Sequence, residues 1–178
     1  MNPKSKQIAM GGIFSALCVA LMFFTGLMPF GGVALPMAAG AMLMLIVVEL
    51  GPKPAAIAYI SVSILCILIV PDRQAVMIFA AFFGYYPIVK QRLERLPGRA
   101  IEYFCKLLLF NAGMALAFAV LIYVFGMAQA LEGMGDFGIY APAILFAMGN
   151  IVFVLYDFAI TRFYTLYVER FRSKFLGK

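Results

Sequence analysis

Six apolar stretches, each close to the length of a membrane-spanning helix, follow one another along this 178-residue chain. A helix that crosses a hydrocarbon core of about 30 Å needs roughly 20 apolar residues. Proline, glycine and charged residues separate the stretches, as expected where helices end at a membrane boundary. The predicted spans are 8–27, 34–50, 54–70, 74–89, 101–126 and 142–167. The sequence therefore predicts an all-α integral membrane protein, a six-transmembrane-helix bundle in which residues 1–178 form a single domain.

The composition agrees with a chain that folds in lipid. Hydrophobic residues make up 65% of the sequence and charged residues only 12%, whereas a soluble domain carries about 25% charged residues. The net charge of +6 is spread in short groups between apolar stretches rather than along one polar face. We therefore expect the lipid bilayer as a partner and no nucleic acid.

The basic residues predict how the helices are oriented. With six spans and the N-terminus inside, thirteen of the fourteen lysines and arginines lie at or near the cytoplasmic side, and Arg73 alone lies outside. An excess of lysine and arginine marks cytoplasmic loops. This pattern predicts a multi-pass protein of the cell membrane with both termini in the cytoplasm.

Three of the predicted spans, the second to the fourth, are only 16 or 17 residues long. Short spans are accommodated by a smaller tilt, by a break in the helix, or by neighbouring helices that shield them from lipid. The sequence leaves these three alternatives open. Pro87, near the inner end of the fourth span, predicts a kink or a helix end there.

The sequence lacks the side chains and motifs of common catalytic and cofactor sites. Histidine is absent, which removes the most frequent general base and metal ligand. No phosphate-binding G-x-x-x-x-G-K-[ST] string, G-x-S-x-G string or carboxylate cluster at metal spacing occurs. Cys18, Cys66 and Cys105 lie singly in apolar stretches and are interpreted as small buried residues. We expect no enzyme activity, no catalytic residues, no metal and no cofactor.

Small residues recur at every fourth position of the first span, at Gly12, Ala16 and Ala20. Such a strip lets two helix backbones approach closely in lipid. Two interpretations are open: the strip docks a helix of a partner protein, or it packs against helices of this chain.

Two asparagines, Asn111 and Asn150, fall near the middle of the fifth and sixth spans. An unpaired polar group in hydrocarbon costs several kcal/mol, so each must have a partner. They are predicted either to bridge the two helices or to contact a ligand. Polar residues near the outer ends of the spans extend the candidate substrate site, which we place in the outer half between the fourth, fifth and sixth spans. Those further candidates are Arg73, Gln74, Tyr123 and Tyr140.

Charged residues also occur inside the last two spans, toward their inner ends. These are Lys106 and Asp157, with Glu102 and Arg162 one turn further out. The simpler interpretation is a salt-bridged layer, and the alternative is a relay for protons or ions. A relay requires more intramembrane carboxylates than this sequence offers, so the pattern favours the salt-bridged layer.

Three features of the chain resemble the S components, the substrate-binding membrane subunits of energy-coupling factor vitamin transporters. The first is the six-span pattern with cytoplasmic termini at this length, over the whole chain. The second is Ala16-Leu-Cys-Val-Ala20, which resembles the small-x-x-x-small docking motif of their first helix. The third is Leu50-Gly51-Pro52 followed by Ala55, Ala58 and Ser61–Leu65, which resembles their L-G-P turn and small-residue third helix. Many members have glycines in that third helix, where this chain has Ala55, Ala58 and Ser63.

The resemblance implies a protein that captures a vitamin-like small molecule from outside and docks, through Gly12, Ala16 and Ala20, on a transmembrane coupling subunit. Two ATPase subunits would then drive uptake. Because Arg73 is the one outer cation, we expect a neutral or largely apolar substrate. The alternative function is that of a non-transporting membrane accessory protein or scaffold. An autonomous secondary transporter is less compatible with the short chain and the lack of an evident inverted repeat.

Overall fold

In the computed structural model, which describes residues 3–28, 31–124 and 141–172, the secondary structure is helical from end to end. In chain order the helices are α1 (Pro3–Phe23) with a 3₁₀ turn (Phe24–Leu27), α2 (Gly31–Leu50), α3 (Pro52–Ile69), α4 (Arg73–Ile78) with a π-helical segment (Phe79–Phe83), α5 (Tyr86–Leu93), α6 (Arg99–Tyr123) and α7 (Ala141–Leu166) with a π-helical end (Tyr167–Arg172). Helices α1, α2, α3, α6 and α7 each overlap one predicted apolar stretch, and two shorter helices, α4 and α5, share the fourth.

Five helices of the described residues are long and apolar enough to cross a membrane. They correspond to the predicted first, second, third, fifth and sixth spans, namely Gln7–Leu27, Gly31–Leu50, Pro52–Ile69, Arg99–Tyr123 and Phe146–Arg170. The chain is thus a helical bundle compatible with a multi-pass membrane protein.

The predicted fourth span, 74–89, is a broken helix. It consists of α4, the π-helical segment and α5, which starts after a turn at Gly84 and Tyr85. Pro87 lies in the first turn of α5, where a residue without an N–H group leaves no helical hydrogen bond unmade. Of the alternatives open for the short spans, the fourth span shows both a break and shielding, since Ala75, Val76, Phe79 and Phe82 are fully buried.

The helices form two groups that meet along α2 and the broken fourth segment. One group consists of α1, α2 and α3, which pack on one another, and in the other α6 packs against α4, the π-helical segment and α7. Following the chain, α1, α3 and α6 begin at one end of the bundle, where α2, α5 and α7 finish. We call this the basic end, because Lys53, Arg92, Arg95, Arg99 and Arg170 lie in the helix termini and turns found there.

The turn between α2 and α3 depends on glycine. Gly51 has a φ of 92°, a left-handed conformation that side chains with a Cβ rarely adopt. Pro52 then starts α3, where its fixed φ suits the first helical position. The Leu50-Gly51-Pro52 sequence therefore makes a tight reversal at the basic end.

Tyrosines from two neighbouring helices bond carbonyl groups of the π-helical segment. The N–H of Gly84 bonds the carbonyl of Phe79, five residues earlier, so the normal helical ladder is interrupted. The hydroxyl of Tyr59 on α3 donates to the carbonyl of Ala80 at 2.6 Å, and that of Tyr156 on α7 donates to the carbonyl of Phe83 at 3.1 Å. These bonds satisfy carbonyls that would otherwise be costly in an apolar interior.

Candidate functional site

Asn111 of α6 and Asn150 of α7 bond directly to each other. Each amide nitrogen donates to the other side chain's oxygen, both at 3.0 Å. Each also donates to a carbonyl one turn earlier in its own helix, Asn111 to Leu107 at 2.8 Å and Asn150 to Phe146 at 2.7 Å. Both N–H groups of each amide are therefore used, and only acceptor capacity remains for any ligand.

A shallow cavity of about 350 Å³ lies beside this pair, lined by Asn150, Ile151, Val154 and Leu155. Ile151 and Leu155 are more than half exposed, and the lining is apolar apart from the amide. All four lining residues belong to α7, so this cavity opens on the exposed side of that helix rather than into the bundle.

Of the other predicted outer residues, Arg73, Gln74 and Tyr123 do not line this cavity. Arg73 donates to the carbonyl of Ile67 at the end of α3, so it closes the α3–α4 turn. Gln74 is exposed, and Tyr123 is 86% exposed at the end of α6. Tyr140 lies outside the described residues. The predicted outer substrate site thus stays a prediction, of which the structure describes the asparagine pair, Arg73, Gln74 and Tyr123.

The most buried polar group of side chains lies toward the basic end, between α5, α6 and α7. Its centre is Asp157 of α7, which accepts hydrogen bonds from Lys90, from Lys106 at 3.2 Å and from the hydroxyl of Tyr86 at 2.5 Å. Lys90 and Lys106 are 2% and 1% exposed. Two buried ammonium groups thus share one buried carboxylate.

Two glutamates complete this arrangement. Glu94 lies 2.7 Å from Lys90 and 3.6 Å from Lys106, and Glu102 lies 2.6 Å from Lys106. We call the five residues Lys90, Glu94, Glu102, Lys106 and Asp157 the charged cluster. Each lysine has at least two carboxylate partners, which offsets the desolvation of burying it.

The charged cluster confirms the salt-bridged interpretation of Lys106, Asp157 and Glu102, with two differences from the sequence prediction. Arg162 is not part of it: the side chain is exposed, and its guanidinium lies 5.0 Å from the ring centre of Phe158. Lys90 belongs to the cluster, although the sequence places it at the start of the charged 90–99 stretch. Its helical spacing to Glu94, four residues on, was the one local signal available.

The small-residue strip of α1 faces away from the bundle. Gly12, Ala16 and Ala20 are exposed, and a Cβ on Gly12 would meet nothing within 4 Å. The opposite side of α1 packs inward, where Cys18 is fully buried and its thiol lies 3.3 Å from the carbonyl of Ala39 on α2. The strip therefore does not pack against the other helices that the structure describes.

A groove of about 570 Å³ continues from this strip toward the basic end. It lies between α1, α2 and α3, and small side chains from the first and third helices line much of it, among them Gly11, Gly12, Ser15, Ala58 and Ser61. Small residues on two adjacent helices leave room for a third helix backbone to approach closely.

Comparisons of the sequence with protein-family models and with curated proteins, and of the structure with solved structures, found no match.

Proposed function

We propose that this chain is the membrane-embedded substrate-binding subunit of an energy-coupling factor importer. In this proposal, it spans the cell membrane six times with both termini in the cytoplasm, captures a vitamin-like small molecule from outside, and docks on a coupling subunit that two ATPase subunits drive. The observation that carries the proposal is the outward-facing strip of Gly12, Ala16 and Ala20, at the positions where the resemblance to S components expects the docking helix.

Two further features support a docking role for α1. The helix lies at the edge of the bundle, where Ile8, Ile13 and Leu17 are 46–78% exposed, so a partner has access to it along its length. The groove that extends the strip toward the basic end reaches α3, and the resemblance covers that small-residue helix too. A partner helix seated there would bury apolar surface without disturbing contacts inside this chain.

The proposed substrate binding rests on the resemblance to S components and on the small number of positive charges at the predicted outer side. The candidate residues are Asn150, Asn111, Arg73, Gln74, Tyr123 and Tyr140. Since Arg73 is the one outer cation and already bonds the Ile67 carbonyl, a neutral or largely apolar substrate is favoured.

The test is affinity purification of the tagged full chain from its native membranes in a mild detergent, with mass spectrometry of the proteins and small molecules that accompany it. We expect an integral membrane coupling protein, two ATPases and one enriched small molecule. Ala16→Leu combined with Ala20→Leu should remove the partner proteins, because branched side chains keep the backbones apart, and should retain the small molecule.

The matched control is Ala112→Leu combined with Ala115→Leu, which adds the same bulk to exposed positions of α6. This variant should keep both the partner proteins and the small molecule. Recovery of the full set of partners by a well-folded Ala16→Leu, Ala20→Leu variant would contradict docking through the strip.

The second candidate function is a non-transporting membrane accessory protein. The observation that favours it is that two groups of polar side chains inside the bundle are paired within this chain: Asn111 and Asn150 bond each other, and the charged cluster pairs its own ions. In that case the purification yields neither ATPases nor an enriched small molecule.

A further inference from the structure

A polar cavity of about 370 Å³ opens at the basic end beside the charged cluster. This volume lies within the range of small-ligand pockets, about 300–1,000 Å³. One wall is α5 and the facing wall is α7, with a methionine of α2 completing it. The polar lining consists of Lys90, Gln91, Glu94, Arg95, Thr161 and Tyr164.

The carboxylate in this cavity already has ion-pair partners. Glu94 pairs with the ammonium groups of both Lys90 and Lys106, at 2.7 and 3.6 Å. A ligand cation would compete with two lysines that are almost completely buried and held by other carboxylates as well. The cavity therefore offers little to a positively charged ligand.

Hydrogen-bond donors, in contrast, are in excess. The guanidinium of Arg95, the amide of Gln91 and the hydroxyl of Tyr164 have no hydrogen-bond or ion-pair partner within the part of the chain that the structure describes. Thr161 adds no donor, since its hydroxyl donates to the carbonyl of Asp157 at 2.8 Å. Donors from both sides of the cavity, among them a guanidinium without an ion-pair partner in the described residues, fit a ligand that brings several anionic oxygens.

The position of the cavity indicates where such oxygens come from. It lies at the end of α5, next to the charged turn that leads to α6. In the six-span arrangement proposed above, this turn lies where the helices leave hydrocarbon for the headgroup layer. Basic pockets between transmembrane helices at this depth are suited to lipid headgroups. We propose that this cavity is a phosphate site occupied by the headgroup of an anionic phospholipid, with Arg95, Gln91 and Tyr164 donating to the phosphate oxygens.

The experiment titrates the purified full chain in detergent with phosphatidylglycerol, followed by native mass spectrometry, with phosphatidylcholine as the zwitterionic reference. Phosphatidylglycerol should bind more tightly, because the choline cation finds no unpaired carboxylate. Arg95→Gln should weaken phosphatidylglycerol binding about tenfold, the loss expected for one charge-assisted contact. Tyr164→Phe should weaken it by a smaller factor.

The matched control is Arg92→Gln, which removes the same charge three residues earlier, in the last turn of α5, at an exposed position outside the cavity lining. It should leave the dissociation constant unchanged. Equal losses in the Arg92 and Arg95 variants would mean general surface attraction and would overturn the site. Unchanged binding in both Arg95→Gln and Tyr164→Phe would overturn it as well.

A final arm distinguishes the source of the phosphate group. Inorganic phosphate and glycerol 3-phosphate are titrated against the same variants. If Arg95→Gln weakens the binding of these soluble anions but not the binding of phosphatidylglycerol, the lipid assignment is overturned in favour of a soluble phosphate ligand.

Discussion

The amides of Asn111 and Asn150 join α6 to α7 through two reciprocal hydrogen bonds of 3.0 Å. This pair leaves neither side chain with a spare N–H group, because each also bonds its own helix. A ligand that bound here through its acceptor atoms would first have to separate the two helices' side chains. The geometry therefore favours a structural role for the pair.

Replacing either asparagine with leucine should lower stability. Asn150→Leu leaves one N–H group of Asn111 without its acceptor, and a buried unsatisfied group costs about 1–3 kcal/mol. Asn111→Leu should give the same loss, and the double variant should be no worse than either single one, since both act on one interaction. The melting temperatures of the two single variants and the double variant in detergent measure these losses of stability.

The control for the asparagine variants is Met148→Leu, a change of similar size at an exposed position of α7, which should leave the melting temperature unchanged. Losses that add in the double variant would show that the two side chains act separately. Weakened binding of a copurified ligand at unchanged melting temperature would instead support the ligand-contact interpretation.

Asp157→Asn should be the most destabilising single change in the charged cluster. The variant removes the carboxylate shared by Lys90 and Lys106, and breaking a buried ion pair from one side costs about 3–5 kcal/mol. Adding Lys90→Met should restore part of the stability, because one buried cation then no longer needs a partner. Thermal unfolding of the three proteins measures both effects.

The exposed Glu169→Gln change serves as the control and should shift the melting temperature little, as expected for surface charges. Stability of Asp157→Asn equal to that of Glu169→Gln would contradict the buried arrangement of the charged cluster.

Gly40→Ala and Gly113→Ala should each destabilise the bundle. A Cβ at Gly40 would collide with the Tyr156 hydroxyl and the Phe83 carbonyl, and one at Gly113 would lie 2.5 Å from the Ala81 carbonyl. Backbone of the π-helical segment cannot move aside easily, so overpacking of about 1–3 kcal/mol is expected. Gly12→Ala, which meets nothing within 4 Å, is the matched control and should fold normally. Normal melting of all three variants would contradict this close packing.

Cysteine labelling tests the six-span topology. In a cysteine-free background, Cys introduced at Pro97 and at Gly135 should label from opposite sides of the membrane, with the Pro97 site on the cytoplasmic side. Pro97 is a better position than the adjacent Gly98, whose φ of 100° strains any residue with a Cβ. Labelling of both sites from one side would contradict the six-span arrangement.

A cysteine at the exposed Pro71, in the α3–α4 turn, should be labelled from the same side of the membrane as the cysteine at Gly135.

Helix positions were predictable from the sequence because apolar length and local breaks determine them. The predicted limits 34–50 and 54–70 differ from α2 and α3 by a few residues at the starts and by at most one at the ends. The break in the fourth span was harder to predict. Pro87 marks its second half, but the π-helical segment depends on Tyr59 and Tyr156, which come from helices far away in sequence.

At the candidate sites, too, features set by neighbouring residues were predictable from the sequence, and features set by contacts between distant helices were not. Periodicity identified the strip of Gly12, Ala16 and Ala20, but which way it faces depends on the packing of α1 against α2. Asn111 and Asn150 were paired by depth alone, since both sit near mid-span. Lys90 was assigned to a boundary, because its main partner, Asp157, is 67 residues away and no local pattern links the two.

The charged cluster also has a consequence for the order in which the bundle is made. Lys90 and Lys106 emerge from the ribosome before Asp157, which belongs to α7, the last long helix of the described residues. Until α7 is synthesised, Glu94 and Glu102 are the only cluster carboxylates available to the two lysines. Synthesis of α7 then supplies Asp157, the carboxylate that both lysines share, so the charged cluster is complete only once α7 has packed against α5 and α6.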